Sequence, residues 1–376
     1  MAPLWEVLAT NGYFRNLFTF DPDDREYDFL VVYEDLPPNI GERKIHRSEK
    51  LACPKSHTLL IMTEPSSIRI DGLNYLSQFG EVWTSRAFDW ETIFHLDAKG
   101  CRVNNLPSTL PPLHFERRQK MIERSRDGYR PPPLRWFYGR DMEGSNHLTL
   151  EQITDKYPLK KSDLSTVTSN KSMKHTVHAQ RLKFVTALKK RLGENLSLYG
   201  RGFPEDTGIH EVRDKREAMR DYRYHIAIEN HLQAGHYTEK LTDCFLALSL
   251  PFYFGAPDYA KYYPRDAVIP IDIFDLDKSE KIIREAIASN QYEKRLSAIE
   301  DAKSIALSAS NPLNRARHWA YSLERSSSSE TFPRPRENSV IHGRHAFRRA
   351  RPIKAAQDAI YRAKMKRHPS SSPLQG

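Results

Sequence analysis

Tyr222-Arg-Tyr-His-Ile-Ala-Ile-Glu-Asn-His-Leu-Gln-Ala-Gly-His-Tyr-Thr-Glu-Lys240 is the stretch from which the rest of the chain is read. Residues 225–228 form an apolar run with Ile at alternate positions, the pattern of a short buried strand. Glu229, Asn230 and His231 fall where that strand should end, and a loop containing Gly235 leads to Thr238-Glu239-Lys240. Leu241, Phe245 and Leu248 then recur at helical spacing, and Thr238 is placed to cap the helix by accepting from a free backbone N–H. Pro251 stops the helical stretch, and residues 252–254 before Gly255 read as the next strand. Strand, helix and strand make a βαβ unit, whose ligands bind at the carboxyl ends of its strands. A helix start carrying Glu and Lys at that edge suits a ligand with phosphates and hydroxyls.

The run from Tyr222 to His231, then Thr238-Glu-Lys-Leu241, then Leu250-Pro-Phe-Tyr-Phe-Gly-Ala-Pro257, resembles the donor-binding motif of family-10 glycosyltransferases. These are the α-1,3/1,4-fucosyltransferases, and this copy resembles a bacterial one. The resemblance implies a GT-B fold, α/β with two Rossmann-like domains facing a cleft, and inverting transfer of fucose from GDP-fucose. It places Lys240 on the donor phosphate, Glu239 on ribose or sugar hydroxyls and Asn230 near the transferred sugar. Many members carry Tyr-Val or Tyr-Ile before Thr-Glu-Lys, whereas this chain has His236-Tyr237. Either Tyr237 replaces the family's aromatic contact or His236 supplies a hydrogen bond.

Upstream, residues 27–33, 58–62 and 82–84 read as strands, 42–51 as a charged helix and 70–79 as a short helix closed by Gly80. Alternating strands and helices indicate a mostly parallel sheet. Residues 106–141, rich in Pro, Arg and aromatics, read as irregular structure. Glu64 lies just past an apolar strand, and Pro65 ends the ladder there, holding the carboxylate at the strand tip. The resemblance makes Glu64 the catalytic base. The bland reading is a solvated turn glutamate, and Glu34 and Asp35 compete because they too end a strand.

In the carboxyl-terminal half, residues 166–170 read as a strand and 178–192 as a helix with Leu182, Val185 and Leu188 on one face. The family has a Ser-Asn pair followed about a dozen residues later by an Arg on the donor diphosphate, which corresponds here to Ser169, Asn170 and Arg181. A guanidinium grips phosphate oxygens at two points, which Lys cannot imitate. Outside that context Arg181 would read as a solvated helix residue. Residues 196–199 form a strand before Gly200-Arg201-Gly202, a turn that lets backbone approach a nucleotide base. Residues 267–273 read as a further strand, and 278–308 as amphipathic helix. His175 and His178 lack a Cys or acidic neighbour at ligand spacing, and Asp272, Asp275 and Asp277 follow the wrong strand for a metal-binding Asp-x-Asp. No cofactor is required, because Arg181 and Lys240 carry the phosphate charge; a divalent cation would act only as a stimulant.

At 376 residues, with 39% hydrophobic residues and 18 Tyr, the chain can fill two cores. The expected division is an acceptor-binding α/β domain over 1–155, a nucleotide-sugar-binding Rossmann-like domain over 156–325 and a basic, partly disordered tail over 326–376. Cys53, Cys101 and Cys244 suit neither a disulfide framework nor a metal cluster, which indicates a reducing compartment. Residues 1–18 lack the pattern of a signal peptide, and 244–254, the longest apolar stretch, is too short to span a bilayer. The expected location is cytoplasmic, with peripheral attachment to the inner membrane face. The net charge of +10 is uneven, since 340–368 holds nine Arg or Lys against one acid, Asp358. Ile353, Ala356, Ile360 and Ala363 recur there at helical spacing, so the tail reads as an anchor on anionic membranes or as a disordered solubilising segment. The expected partners are GDP-fucose and a GlcNAc-containing surface glycan such as lipopolysaccharide. The rival reading is a non-catalytic nucleic-acid-binding protein using the basic tail. It needs cations and exposed aromatics across the folded body, whereas the cations concentrate in the tail, so no specific nucleic-acid partner is expected.

Overall fold

A computed structural model describes residues 17–21, 24–39, 41–65, 68–86, 88–105, 148, 152–153, 158–170, 177–204, 207, 209, 211–212, 214–326 and 339–367. The strands are β1 (Leu30–Tyr33), β2 (Ser48–Lys50), β3 (Thr58–Met62), β4 (Glu81–Thr84), β5 (Arg102–Val103), β6 (Ser162–Ser169), β7 (Ser197–Arg201), β8 (Tyr222–Ile228), β9 (Leu250–Phe254), β10 (Ile269–Pro270) and β11 (Val340–His342). The helices are α1 (Leu73–Leu76), α2 (Trp90–Ala98), α3 (His178–Leu192), α4 (Glu239–Leu246), α5 (Leu276–Ala288), α6 (Gln291–Lys294), α7 (Leu296–Leu307), α8 (Pro312–Ser326), α9 (Arg344–Ala350) and α10 (Pro352–Arg367). The chain divides into two compact units, one of Leu134–Arg315 with Met1–Phe20 and the other of Asp21–Pro133 with Ala316–Gly376. Each carries its own parallel sheet, so the α/β class with two Rossmann-like units holds. No described helix is long and apolar enough to cross a membrane.

The first unit is built on a five-stranded sheet in the order β10-β9-β8-β6-β7, parallel throughout. Its central strand β8 is buried from Tyr224 onward, as parallel strands covered on both faces must be. Tyr224 stacks on Phe252 at 5.4 Å, and its hydroxyl accepts from Tyr292 N and donates to Ala286 O. Phe184, Val185, Leu188 and Leu192 turn α3 onto the core, while its lysines stay outside. Each such side chain removed from water contributes about 1.5–3 kcal/mol. Helix α4 ends at Leu246, before Pro251, which lies inside β9 opposite His225. The expected strand over 267–273 shrinks to the two residues of β10.

The second unit has a four-stranded parallel sheet in the order β1-β3-β4-β5. In β3, Leu60 and Met62 enter one core while Leu59 and Ile61 face Trp83 and Trp319 in another. Both indoles donate to Glu81, at 2.7 Å from Trp83 and 3.1 Å from Trp319. Helix α2 and strand β5, which the sequence reading passes over, complete this sheet; Asp89 caps α2 by accepting from Thr92 N.

Two expectations are corrected in this unit. Residues 42–51 do not form a helix, because β2 pairs antiparallel with β11, Ser48 opposite His342. That partner lies almost 300 positions along the chain, where local pattern cannot reveal it. Residues 339–367, expected in a tail, are folded onto this unit. Ile341 and Phe347 join its core, and Phe347 meets Tyr75 edge-on at 5.9 Å. Asp358 is buried and accepts from Asn74 N at 2.8 Å and Tyr75 N at 2.9 Å, serving the otherwise unpaired donors at the start of α1. Gly72 permits this approach, since a Cβ there would lie 2.0 Å from Asp358 Cγ. On α10, Ile353 and Ile360 are 77% and 72% exposed, so the stripe read from the sequence faces solvent. The irregular segment 106–141, the serine-rich 327–329 and His175 lie outside the described residues.

Candidate active site

Strand β6 opens the sheet of the first unit, β7 adds on one side of it and β8 on the other. The order of addition therefore reverses between β6 and β8, and open α/β sheets bind ligands at the carboxyl edge of such a reversal. Ser169 ends β6, while Glu229 and Asn230 follow β8, so the motif residues stand on both sides of that point. Helix α3 supplies Arg181 from its first turns. Its guanidinium donates to Asn230 Oδ1, and its Nη2 donates to Ser169 Oγ at 3.2 Å. Arg181 is buried, and its Nε has no hydrogen-bond partner among the described residues. Burial lowers its pKa, against the pull of Glu229 and Glu239; a guanidinium nevertheless remains charged at neutral pH. A buried, charged, incompletely satisfied group is costly, and an anionic ligand would relieve the cost.

The start of α4 lies at the same edge. Thr238 caps the helix, accepting from Lys240 N at 3.3 Å, and also donates through Oγ1 to Glu229 Oε2 at 2.6 Å. Glu229 accepts from Thr238 N at 2.7 Å and sits 3.5 Å from Lys240 Nζ. Fully buried, it has its pKa raised by desolvation, which Lys240 partly opposes. Lys240 also contacts Glu239 at 3.2 Å, and the two carboxylates outweigh burial to raise the ammonium pKa. At Glu239 burial disfavours ionisation, but Lys240 and Lys215 prevail and hold the carboxyl at about 2. Lys215 is itself fixed at 2.7 Å to buried Asp243. The edge thus presents two cations, Arg181 and Lys240, beside an ionised, half-buried Glu239. This combination can hold a diphosphate and accept from hydroxyls.

Of the residues singled out from the sequence, Ser169, Arg181 and Asn230 form one hydrogen-bonded group, and Glu239 and Lys240 form another. Asn170 belongs to neither; it donates to Gly202 O at 3.0 Å and holds the turn after β7. Tyr237 is buried among Tyr262 and Tyr263 at 5.5 and 5.3 Å, and buried His236 has its pKa pulled down to about 3 by desolvation. Glu229 and Lys215 carry no assigned role in the sequence reading, yet Glu229 lies against Lys240 and the charge of Lys215 helps keep Glu239 ionised. The signal for Glu229 was present, because a charged residue directly after a buried parallel strand requires partners.

In the other unit Glu64 follows β3 and is exposed. Its competitors are already engaged. Glu34, at φ 69°, accepts from Thr63 N at 2.6 Å and pairs with Arg69. Asp35 accepts from Tyr75 Oη at 3.0 Å and from Leu36 N at 2.9 Å and pairs with Arg344 at 3.4 Å.

Comparison with known proteins places these features. Residues 157–292 match the family model "Glycosyltransferase family 10 (fucosyltransferase) C-term". An alpha-(1,3)-fucosyltransferase FucT of Helicobacter pylori is 29% identical over 86 residues, 23% of this chain and 18% of that protein's length. Among solved structures, an alpha1,3-fucosyltransferase with GDP-fucose aligns at 17% identity and a TM-score of 0.39, covering 73% of this chain and 76% of the other. An OtsA apo structure aligns at 8% identity and a TM-score of 0.42, covering 73% and 68%. The matched segment contains β6 to β9, Arg181 and the whole of the 222–240 stretch, and over that segment the chain is similar to glycosyltransferase family 10.

Proposed function

We propose that the chain is an inverting fucosyltransferase that moves fucose from GDP-fucose to a hydroxyl of a GlcNAc-containing or related surface glycan, of the lipopolysaccharide type. The observation that carries this reading is buried Arg181, held by Ser169 and Asn230 at the sheet's reversal point with its Nε unpaired among the described residues. Arg181 and Lys240 bind the diphosphate and stabilise the charge that GDP gains on leaving. Glu239 accepts from ribose or sugar hydroxyls, and Asn230 lies beside the sugar. Ser169 and Asn170 contribute indirectly, by orienting Arg181 and the turn at Gly202 respectively. Tyr237 acts by packing the wall behind Thr238 rather than by stacking on the donor, given its burial among tyrosines. Glu64 takes the proton of the acceptor hydroxyl as its oxygen attacks the anomeric carbon opposite the departing GDP. The transition state has oxocarbenium character, as in glycoside hydrolysis. No metal is needed by this arrangement. The similarity of the matched segment to a protein named as an alpha-(1,3)-fucosyltransferase favours an α-1,3 linkage. The cations of α9 and α10, with exposed Ile353 and Ile360, favour peripheral contact with the cytoplasmic membrane face.

A hydrolysis screen over sugar nucleotides tests the donor assignment. GDP-fucose should be turned over in preference to UDP- and other GDP-sugars, and Arg181→Ala should reduce that turnover by roughly ten- to a thousandfold. Preference for a UDP-sugar would overturn it.

A further inference from the structure

A cavity of about 110 Å³ opens in the second unit, and four arginines line it: Arg69, Arg344, Arg348 and Arg362. Two of them are committed. Arg69 pairs with Glu34 and, at 3.1 Å, with Asp71. Arg344 pairs with Asp71 and Asp35, and its guanidinium lies over the Tyr75 ring at 5.3 Å. The remaining acid, Asp358, has its carboxylate occupied by the backbone N–H groups of Asn74 and Tyr75. Arg348 and Arg362 therefore face the cavity without an ion pair among the described residues, on two successive helices, α9 and α10. Four arginines against two acids, Asp71 and Asp358, line the cavity, so the field there favours an anion.

We propose that this cavity binds a phosphate ester, with Arg348 and Arg362 gripping the phosphate oxygens and Phe347 and Ala355 bordering the esterified group. Two arginines lining one small space match a tetrahedral anion with several acceptor oxygens better than a single carboxylate does. Arg69 and Arg344 are held by their ion pairs, so the two remaining arginines are the ones a ligand can recruit. The phosphate belongs either to a lipid headgroup or to a soluble phosphate, and the two sources share the same recognition chemistry. This inference stands apart from the donor site, which uses other residues in the other unit.

The test uses the full chain and two probes: inorganic phosphate followed by calorimetry at constant ionic strength, and sedimentation with phosphatidylcholine vesicles with or without phosphatidic acid. R348Q/R362Q removes both charges from side chains that make no described ion pair, and its melting temperature should match the wild type. R181A serves as the comparator that disables the other phosphate-binding set. Wild type and R181A should share a saturable phosphate site that R348Q/R362Q weakens by roughly tenfold or more. R348K/R362K, which keeps charge but loses the two-point grip, should bind with intermediate strength. Sedimentation that needs both phosphatidic acid and the two arginines assigns the site to lipid phosphate; phosphate binding without vesicle capture assigns it to a soluble ester. Equal binding of both probes by R348Q/R362Q and wild type, or no binding of either probe by wild type, overturns the proposal.

Discussion

Glu229, Glu239 and Lys240 decide the character of the site, because one ammonium is shared by two carboxylates of opposite tendency. The Glu239 carboxyl is held at about 2, below its ordinary 4.5, so between these values the unfolded chain binds a proton that the folded chain does not. Its contribution is full above pH 4.5 and is lost as the pH falls toward 2. Glu229 works the other way: its pKa is raised by burial, so its contribution falls as pH climbs above the ordinary value. Glu239→Gln should therefore flatten the acid limb of a stability–pH curve by on the order of 2 kcal/mol, as read by urea unfolding; an unchanged acid limb would contradict the assigned pairing with Lys240. The acids of the second unit separate by their hydrogen-bond and ion-pair partners. Glu64→Gln should leave the melting temperature unchanged while transfer falls by roughly a hundredfold. Glu34→Gln should instead lower stability by about 1–3 kcal/mol, because Thr63 and Arg69 lose their charged acceptor. Loss of transfer in Glu34→Gln at intact stability would move the base to Glu34. Sequence placed Glu64, Glu34 and Asp35 at strand ends but could not rank them, since the ranking depends on Arg69 and Arg344 arriving from elsewhere.

Single elements were legible where their stabilising contacts are local. Helix α3 and strand β3 have the bounds read from the sequence, because an apolar face at helical spacing and a five-residue apolar run each specify their own burial. The pairing of β2 with β11 and the docking of α10 were not legible, since both depend on contacts between residues nearly 300 apart. Two glycines mark close approaches, one of them of this long-range kind. A Cβ on Gly255 would lie 2.2 Å from Tyr253 Oη and 2.5 Å from Glu229 Cγ, so Gly255→Ala should displace Glu229 and cost about 1–3 kcal/mol together with nucleotide affinity. Gly72→Ala should cost a similar amount by expelling Asp358, yet leave nucleotide affinity at the wild-type level. Thermal unfolding and nucleotide titration on the same samples separate the two outcomes, and equal effects of both variants on nucleotide binding would contradict the account.

For the whole molecule, the uneven charge suggested an appendage, and the structure makes 339–367 part of the second unit. The acids that absorb Arg344, namely Asp35 and Asp71, sit roughly 300 residues upstream, so a local charge count mistakes a docked helix pair for a solvated tail. A chain ending at Arg325 exposes the cores that Ile341 and Phe347 close. Its second unit should lose cooperative unfolding, while a truncation that merely removed a free tail would leave the melting curve intact. The central claim concerns the first unit, where Arg181, Asn230, Ser169 and Lys240 meet at the reversal of the sheet. Calorimetric titration of GDP into wild type and Arg181→Ala tests it most directly. Wild type should bind GDP and Arg181→Ala should bind at least about tenfold more weakly with its melting temperature preserved; undiminished GDP affinity in the folded variant would contradict the account.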